Sequence, residues 1–228
     1  MFGMVLRVFA AVGVFAGIHS LLASGPAKEF AARQLGQRNR AGLYRGFYIF
    51  QSFVTIWALL AYLLRLPDRA LYHVRGPLAW LMRAGQAAGL VFATAAAYQV
   101  GLLRITGLAP LWSWLRGERD VPPEPEAQGP APEEVSASIP LSARPRSLRA
   151  RGPFRWTRHP LNLSPLPVFW LTPRMTLKRL AFNLAGTAYL FIGSLHEEAR
   201  LLRVYGPAYR DYQRSGVPFY LPIKITRE

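Results

Sequence analysis

Three apolar runs, residues 4–24, 47–66 and 78–101, constrain this chain more than any other feature. Each is close to the twenty residues a helix needs to cross the hydrocarbon of a bilayer, and each holds at most two basic residues. With 228 residues, mean hydropathy +0.13 and 18% charged residues, the chain is too apolar in long runs for an ordinary soluble domain of its size. Two further apolar stretches follow, a short one at 161–171 and a longer one at 177–195, joined by the turn-like "TPRMT". The expected fold is an all-α integral membrane protein of about five transmembrane helices. The first run differs from a signal peptide: only Arg7 precedes its centre and more spans follow.

Between the third and fourth segments lies a polar loop. "PLWSWLRGE" carries Trp112 and Trp114, which read as membrane-interface anchors, and leads into "GERDVPPEPEAQGPAPEE", rich in proline and acid. A linker of that composition has too little apolar surface to fold. Its continuation, "ARPRSLRARGPFRWTR", is rich in arginine. After the fifth segment, "HEEARLLRVYGPAYRDYQRSG" is too charged to span and is expected as an amphipathic cytoplasmic helix on the membrane surface. The organisation is thus a three-helix membrane region at 1–116, a loop at 117–151 and a C-terminal region at 152–228.

Lysine and arginine outnumber aspartate and glutamate by 28 to 12, a formal charge of +16. Such a charge suits nucleic acid or an anionic membrane. The arginines flank apolar segments instead of forming one soluble basic face, which favours lipid and argues against nucleic acid. The first connection holds Lys28, Arg33, Arg38, Arg40 and Arg45 against Glu29, the second Arg65, Arg69 and Arg75 against Asp68. The positive-inside rule makes the first connection cytoplasmic. With five spans the N-terminus lies outside, and the arginines before Pro160 lie inside with the C-terminus. The tail's Arg200, Arg203, Arg210, Arg214, Lys224 and Arg227 agree, while Arg174, Lys178 and Arg179 would face outward.

The fourth segment is unusual. "RWTRHPLNLSPLPVFW", residues 155–170, passes from a basic cluster into apolar sequence that holds Pro160, Pro165 and Pro167, with Pro173 just beyond. Proline removes a backbone donor and leaves a carbonyl of the preceding turn without its helical partner. At membrane depth such groups are tolerated where protein buries them or where they line a cavity. A Pro-kinked helix satisfied by its neighbours and a wall offering backbone groups to a polar ligand are both open on this pattern.

In order and spacing, Gly152, Pro153, Arg158, His159, Pro160, Glu197, Glu198, Leu201, Tyr205, Gly206, Tyr209, Tyr212, Pro218 and Pro222 follow one pattern: Gly-Pro-aromatic, Arg-His-Pro, Glu-Glu-x-x-Leu, Tyr-Gly-x-x-Tyr-x-x-Tyr and Pro-x-x-x-Pro. That pattern resembles the isoprenylcysteine carboxyl methyltransferase and phospholipid methyltransferase superfamily of integral membrane enzymes. "FWLTPRMT" at 169–176 and "HSLLAS" at 19–24 look like its bacterial branch, which includes methanethiol S-methyltransferases. The chain departs from the pattern at Asn162, where the family usually has tyrosine, and at Ser164, where it usually has glycine.

The resemblance implies an S-adenosylmethionine-dependent methyltransferase in a bacterial inner membrane. Transfer from a sulfonium needs the partners held in line and dry. The cofactor's ammonium calls for an acid, Glu198 or Glu197; its carboxylate for Arg158; a ribose or carboxylate oxygen for His159. Backbone and side chains at Pro160, Leu161, Asn162 and Ser164 are the expected wall, and Arg158, His159 and Glu198 the expected catalytic group. Tyr205, Tyr209 and Tyr212 stand either as interface residues or as aromatic faces for the sulfonium, worth about 0.5–2 kcal/mol by cation–π attraction.

Competing roles exist for each. Glu197 can pair with Arg200 at i, i+3, worth about 0.2–0.5 kcal/mol. Arg158 can anchor to lipid phosphate, as Arg149, Arg151 and Arg155 are expected to. His159 can cap backbone at the proline turn. His196 is a further candidate base, with Arg200 one turn on. His19 inside the first span is a functional candidate by position, with a neutral imidazole bonded to a neighbouring helix as the favoured reading. With no cysteine and four scattered histidines, no metal-ligand spacing is present, and no phosphate loop or Ser-His-Asp arrangement stands out. The expected acceptor is a small thiol or another lipophilic molecule, the thiol needing little activation beyond its own ionisation. A catalytically silent membrane scaffold or partner-binding protein on the same fold is the alternative.

Overall fold

In the computed structural model the structure describes residues 1–118, 121, 129–130, 148 and 150–221. Most of the loop expected at 117–151, with Arg149, Pro222, Lys224 and Arg227, lies outside the described residues. The chain is mostly helical: α1 Phe2–Ala23, α2 Gly25–Leu35, α3 Gln37–Arg65, β1 Ala70–His73, α4 Pro77–Val100, α5 Leu102–Ile105, α6 Leu108–Leu115, a 3-10 turn Gly152–Arg155, α7 Pro160–Leu163, α8 Pro165–Trp170, β2 Arg174–Thr176, α9 Leu177–Tyr205 and α10 Pro207–Arg214. Two compact units divide it. The first is Met1–Arg83, Leu103–Pro125 and Thr172–Tyr189; the second is Ala84–Leu102, Glu126–Leu171 and Leu190–Glu228.

In the first unit, α1 and α3 are long and apolar enough to cross a membrane, with 11% and 17% of their most apolar windows buried inside the molecule. Their remaining apolar surface therefore faces outward. The buried stripe of α1, Met4, Val8 and Val12 at i, i+4 spacing, packs on Leu59, Leu63 and Leu66 and on Ala181 and Ala185. Ser24 separates α1 from α2: its extended backbone ends the first helix, its hydroxyl accepts from the Ala27 amide, and Pro26 occupies the first turn of the second. His19 is hydrogen-bonded through its two ring nitrogens to Tyr48 and Ser52 of α3.

Two features differ from the expected all-α reading. β1 and β2 form a two-stranded antiparallel ladder, Ala70 opposite Thr176 and His73 opposite Arg174, with an irregularity between Ala70 and Tyr72. "TPRMT" is therefore part strand, not a simple turn; strands of three and four residues are too short for a two-residue alternation to register. Lys178 and Arg179, two of the three cations that the topology left facing outward, are held beside the ladder. Lys178 Nζ donates to Leu66 O at 3.1 Å and lies 3.7 Å from the Asp68 carboxylate, and the Arg179 guanidinium donates to Thr172 Oγ1 at 2.7 Å and Arg174 O at 3.0 Å. Trp114 is the other difference. Expected as an interface anchor, it is half-buried against protein: its indole donates to Asn39 Oδ1 at 2.9 Å, and its ring lies against Gly42 of α3. Trp112 stays exposed, with the Arg116 guanidinium 4.8 Å from its ring centroid.

The helix of the fifth apolar stretch extends beyond residue 195. α9 runs unbroken to Tyr205, because nothing between Leu195 and Tyr205 interrupts helical hydrogen bonding, and stops at Gly206, whose φ of +54° favours glycine. The amphipathic helix is α10, beginning at Pro207.

Candidate active site

α9 places Ser194, Glu197, Glu198 and Leu201 on one face, spaced i, i+3, i+4 and i+7. α10, turned back by Gly206, presents Tyr209 and Gln213, one turn apart. The residues before α7 meet the segment after α10: Arg158 N donates to Pro218 O at 2.9 Å, and Thr157 Oγ1 to Phe219 O at 2.8 Å. Motifs sixty residues apart in sequence are thereby tied edge to edge.

Glu198 is the centre. Its Oε1 accepts from Arg158 Nε at 2.8 Å, His159 Nε2 at 2.8 Å and the Tyr209 hydroxyl at 2.7 Å; its Oε2 accepts from Gln213 Nε2. Four donors thus converge on the carboxylate, three on Oε1 and one on Oε2. Arg158 also donates to Val217 O at 2.9 Å and lies over the Phe219 ring at 5.7 Å. A guanidinium so held is committed to the protein interior, which replaces the lipid-phosphate role open to it in the sequence.

His159 is fully enclosed, its side chain 0% exposed. Its Nδ1 lies 3.5 Å from Glu197 Oε2 and, among the described residues, makes no hydrogen bond. Asn162 Nδ2 donates to Ser194 Oγ at 2.9 Å and Glu197 Oε2 at 3.3 Å. Ser194 Oγ is hydrogen-bonded to the Tyr220 hydroxyl at 2.7 Å, and Tyr220 donates to Leu190 O at 3.0 Å.

The proline-rich wall is partly self-satisfied. Pro160 is buried at the first turn of α7. Pro165 has no amide to give Leu161 O, and the Ser164 hydroxyl donates to that carbonyl instead, at 3.0 Å. Ser164 is buried, and its own carbonyl lies so near Gly89 of α4 that a Cβ there would come within 2.9 Å of it. The side chain that stands where the resembling pattern has glycine is thus turned inward onto backbone.

Electrostatics follow from these contacts. Burial pushes the Glu198 carboxyl up, but the hydrogen bonds from His159, Tyr209 and Arg158, with the Arg158 charge, outweigh it and hold the group at about 2. Burial pulls His159 down, but Glu197 and Glu198 outweigh it, so the imidazole is held above its ordinary value and favours the charged form. Burial and the Glu198 charge raise Tyr209 well above the usual phenol range. These tyrosines are not interface residues: Tyr209 and Tyr212 are buried with Leu201, and the Tyr212 hydroxyl donates to Phe154 O at 2.6 Å.

Of the residues singled out from sequence, Arg158, His159, Glu197, Glu198, Asn162 and Tyr209 come together around the two carboxylates. Pro160, Leu161 and Ser164 form the adjoining backbone, and Tyr212 braces the 3-10 turn. His196 is exposed on another face of α9. Ser194, Gln213, Phe219 and Tyr220 were not singled out. Two of them had a signal: Ser194 shares the Glu197–Glu198 face of a helix, and Gln213 follows Tyr209 by one turn. Among the described residues no group of three or more acidic, histidine or cysteine side chains is placed to hold a metal.

A known protein resembles the chain along most of its length, and others resemble shorter stretches of it. It is 28% identical over 216 residues to methanethiol S-methyltransferase 2 of Bradyrhizobium diazoefficiens, covering 95% of this chain and 72% of that one. A 69-residue stretch is 42% identical to the methanethiol S-methyltransferase of Mycobacterium tuberculosis, and a 62-residue stretch 40% identical to that of Pseudomonas deceptionensis. These two matches cover 28% and 24% of the relatives' lengths. No protein-family model matches the chain, and no solved structure matches it. The chain is thus similar along 95% of its length to a methanethiol S-methyltransferase, and the Arg-His-Pro and Glu-Glu residues of the resembling pattern gather at one site.

Proposed function

We propose that the chain is an S-adenosylmethionine-dependent S-methyltransferase of a bacterial inner membrane that acts on a small thiol. The observation that carries this reading is the donor set of the second unit: two adjacent carboxylates, a buried guanidinium and a fully enclosed imidazole whose Nδ1 lies 3.5 Å from Glu197. That set suits a zwitterionic amino-acid moiety attached to a nucleoside. When bound, S-adenosylmethionine supplies a methyl group on a sulfonium carbon open to in-line displacement. The protein's part is positional. Arg158 and His159 offer positive charge to a carboxylate, Glu197 and Glu198 supply negative charge for an ammonium, and residues 160–164 supply the wall. A small thiol ionises without a strong base, which suits a site whose carboxylate is held near 2 and is a poor proton acceptor at neutral pH.

For the membrane arrangement we retain five segments with the N-terminus outside and the C-terminus inside. α1 and α3 support it by length and composition, and the basic connection between them supports the orientation. Residues 1–116 form the membrane region, 117–151 the cytoplasmic loop and 152–228 the cofactor-binding region. The test is calorimetric titration of detergent-purified protein with S-adenosylmethionine, beside Arg158→Ala. Micromolar binding that weakens at least tenfold in the variant supports the pocket. A folded protein that binds nothing returns the catalytically silent scaffold.

A further inference from the structure

The β1–β2 ladder of the first unit carries exposed positive charge that no carboxylate among the described residues neutralises. Resting on the membrane arrangement above, we infer that the ladder is a docking surface for the headgroup of an anionic phospholipid, held by Arg65, Arg69, Arg75 and Arg174.

Position comes first. α3 ends at Arg65, β1 begins at Ala70, and α9 starts at Leu177, directly after β2. Met4 and Val8 of α1, Leu63 of α3 and Ala181 of α9 share one core, so the start of α1 meets the end of α3 beside the ladder. These two helices are long and apolar enough to cross a membrane. The ladder therefore lies where both spans leave the hydrocarbon, at the depth of the headgroups. Every residue of β1 is exposed, Leu71 and Tyr72 included, and so are Tyr62 of α3 and Trp80 of α4. Amphipathic rings are enriched at that depth.

The ladder sorts its cations into two groups. Lys178 and Arg179 are committed to carbonyls, to Thr172 and to Asp68. Asp68, the one acid between α3 and α4, also accepts from the amides of Arg69 at 2.9 Å and Lys178 at 3.1 Å. Arg65, Arg69, Arg75 and Arg174 are exposed, and among the described residues none of them is paired with a carboxylate; Arg69 contacts the Met1 sulfur at 3.9 Å. Strand pairing gathers them. β2 sets Arg174 opposite His73, two residues before Arg75, and the Leu177 amide donates to Arg69 O at 2.8 Å. Residues a hundred positions apart in sequence thus make one cationic patch. A guanidinium matches two oxygens of a phosphodiester at once and is weakly hydrated, which suits it to a headgroup layer. An acidic protein would answer the charge, but not the leucine and aromatic surface beside it at membrane depth.

The experiment follows the unfolding midpoint of detergent-purified protein titrated with short-chain phosphatidylglycerol, short-chain phosphatidylcholine or inorganic phosphate, since a ligand of the folded state raises the midpoint. Phosphatidylglycerol is expected to raise it, and the other two to leave it unchanged. One arginine near an anionic lipid surface corresponds to about fivefold in affinity, so Arg174→Gln is expected to raise the half-maximal lipid concentration by about fivefold and glutamine at all four positions by at least about twentyfold. Lysine at the same four positions keeps the charge and is expected to stay within about fivefold of wild type. Arg33→Gln, on α2 and about three-quarters exposed, is the control and is expected to change nothing. The lipid-free midpoint of each variant shows that it folds. No rise with phosphatidylglycerol, or an equal rise with phosphatidylcholine or inorganic phosphate, overturns the anionic headgroup as occupant. A wild-type response in the four-glutamine variant, or a loss in Arg33→Gln equal to that in Arg174→Gln, overturns the ladder as its site. Protein that stays monodisperse after detergent is removed overturns the membrane arrangement itself.

Discussion

Replacing Glu198 by glutamine removes one negative charge and little volume, so its effect isolates the electrostatic role of the hub. Arg158 and Glu198 side chains are 16% and 14% exposed, which leaves the guanidinium mostly enclosed once its counter-charge is gone. Breaking a buried pair by removing one member costs roughly 3–5 kcal/mol, and partial exposure favours the lower end. A second route agrees: holding the carboxyl at about 2 instead of 4.5 corresponds to roughly 3 kcal/mol in favour of the ionised, folded form at neutral pH. The new amide also turns an N–H₂ toward one of the four donors. For a chain of this size a loss of about 3 kcal/mol lowers the unfolding midpoint by roughly 6–12 °C. Thermal unfolding in detergent, followed by near-ultraviolet circular dichroism, reports it through Trp156, stacked on Phe92 in the same unit.

The sign of the pH dependence is fixed as well. A carboxyl depressed on folding contributes stability that is complete above about 4.5 and lost as pH falls toward 2. Wild-type protein is therefore expected to lose midpoint steeply in that window, and Glu198→Gln to start lower and fall less. Glu29→Gln is the control, since the Glu29–Arg33 pair is 3.9 Å long and about three-quarters exposed. A Glu198→Gln protein with the wild-type midpoint and the wild-type acid profile refutes the reasoning.

Three other substitutions have expected outcomes. Gly42→Ala places a Cβ 2.5 Å from the Trp114 side chain and is expected to destabilise by about 1–3 kcal/mol, whereas Gly46→Ala, with nothing within 4 Å, is neutral or stabilising by up to about 1 kcal/mol; unfolding midpoints of the two separate packing from helix propensity. Tyr212→Phe leaves the Phe154 carbonyl without its 2.6 Å donor and is expected to lose about 1–3 kcal/mol, read by the same melt. Ser164→Ala exposes the Leu161 carbonyl that Pro165 cannot serve and is expected to lose about 1 kcal/mol while keeping cofactor affinity within about threefold by calorimetry.

What the sequence reveals here depends on range. Apolar length finds α1, α3 and α4 to within a residue or two at most ends, and a spaced pattern finds Arg158, His159 and the glutamates, because these signals lie within one segment. β1 and β2 escape it: they pair residues a hundred positions apart, and neither strand is long enough to show a period. Ser194 and Tyr220 carry no chemistry until α9 and the final segment are brought together around Asn162. The proline wall was ambiguous for a similar reason. Whether Leu161 O faced a ligand or a neighbour depended on the rotamer of Ser164, which no local pattern encodes.

The central claim is methyl transfer to a small thiol, and turnover tests it most directly. Purified protein is incubated with S-adenosylmethionine carrying a labelled methyl group and with methanethiol, and the headspace is analysed by gas chromatography and mass spectrometry. The account predicts labelled dimethyl sulfide that requires both reactants and falls at least tenfold in Arg158→Ala. Folded protein that binds S-adenosylmethionine yet yields no labelled dimethyl sulfide would contradict it.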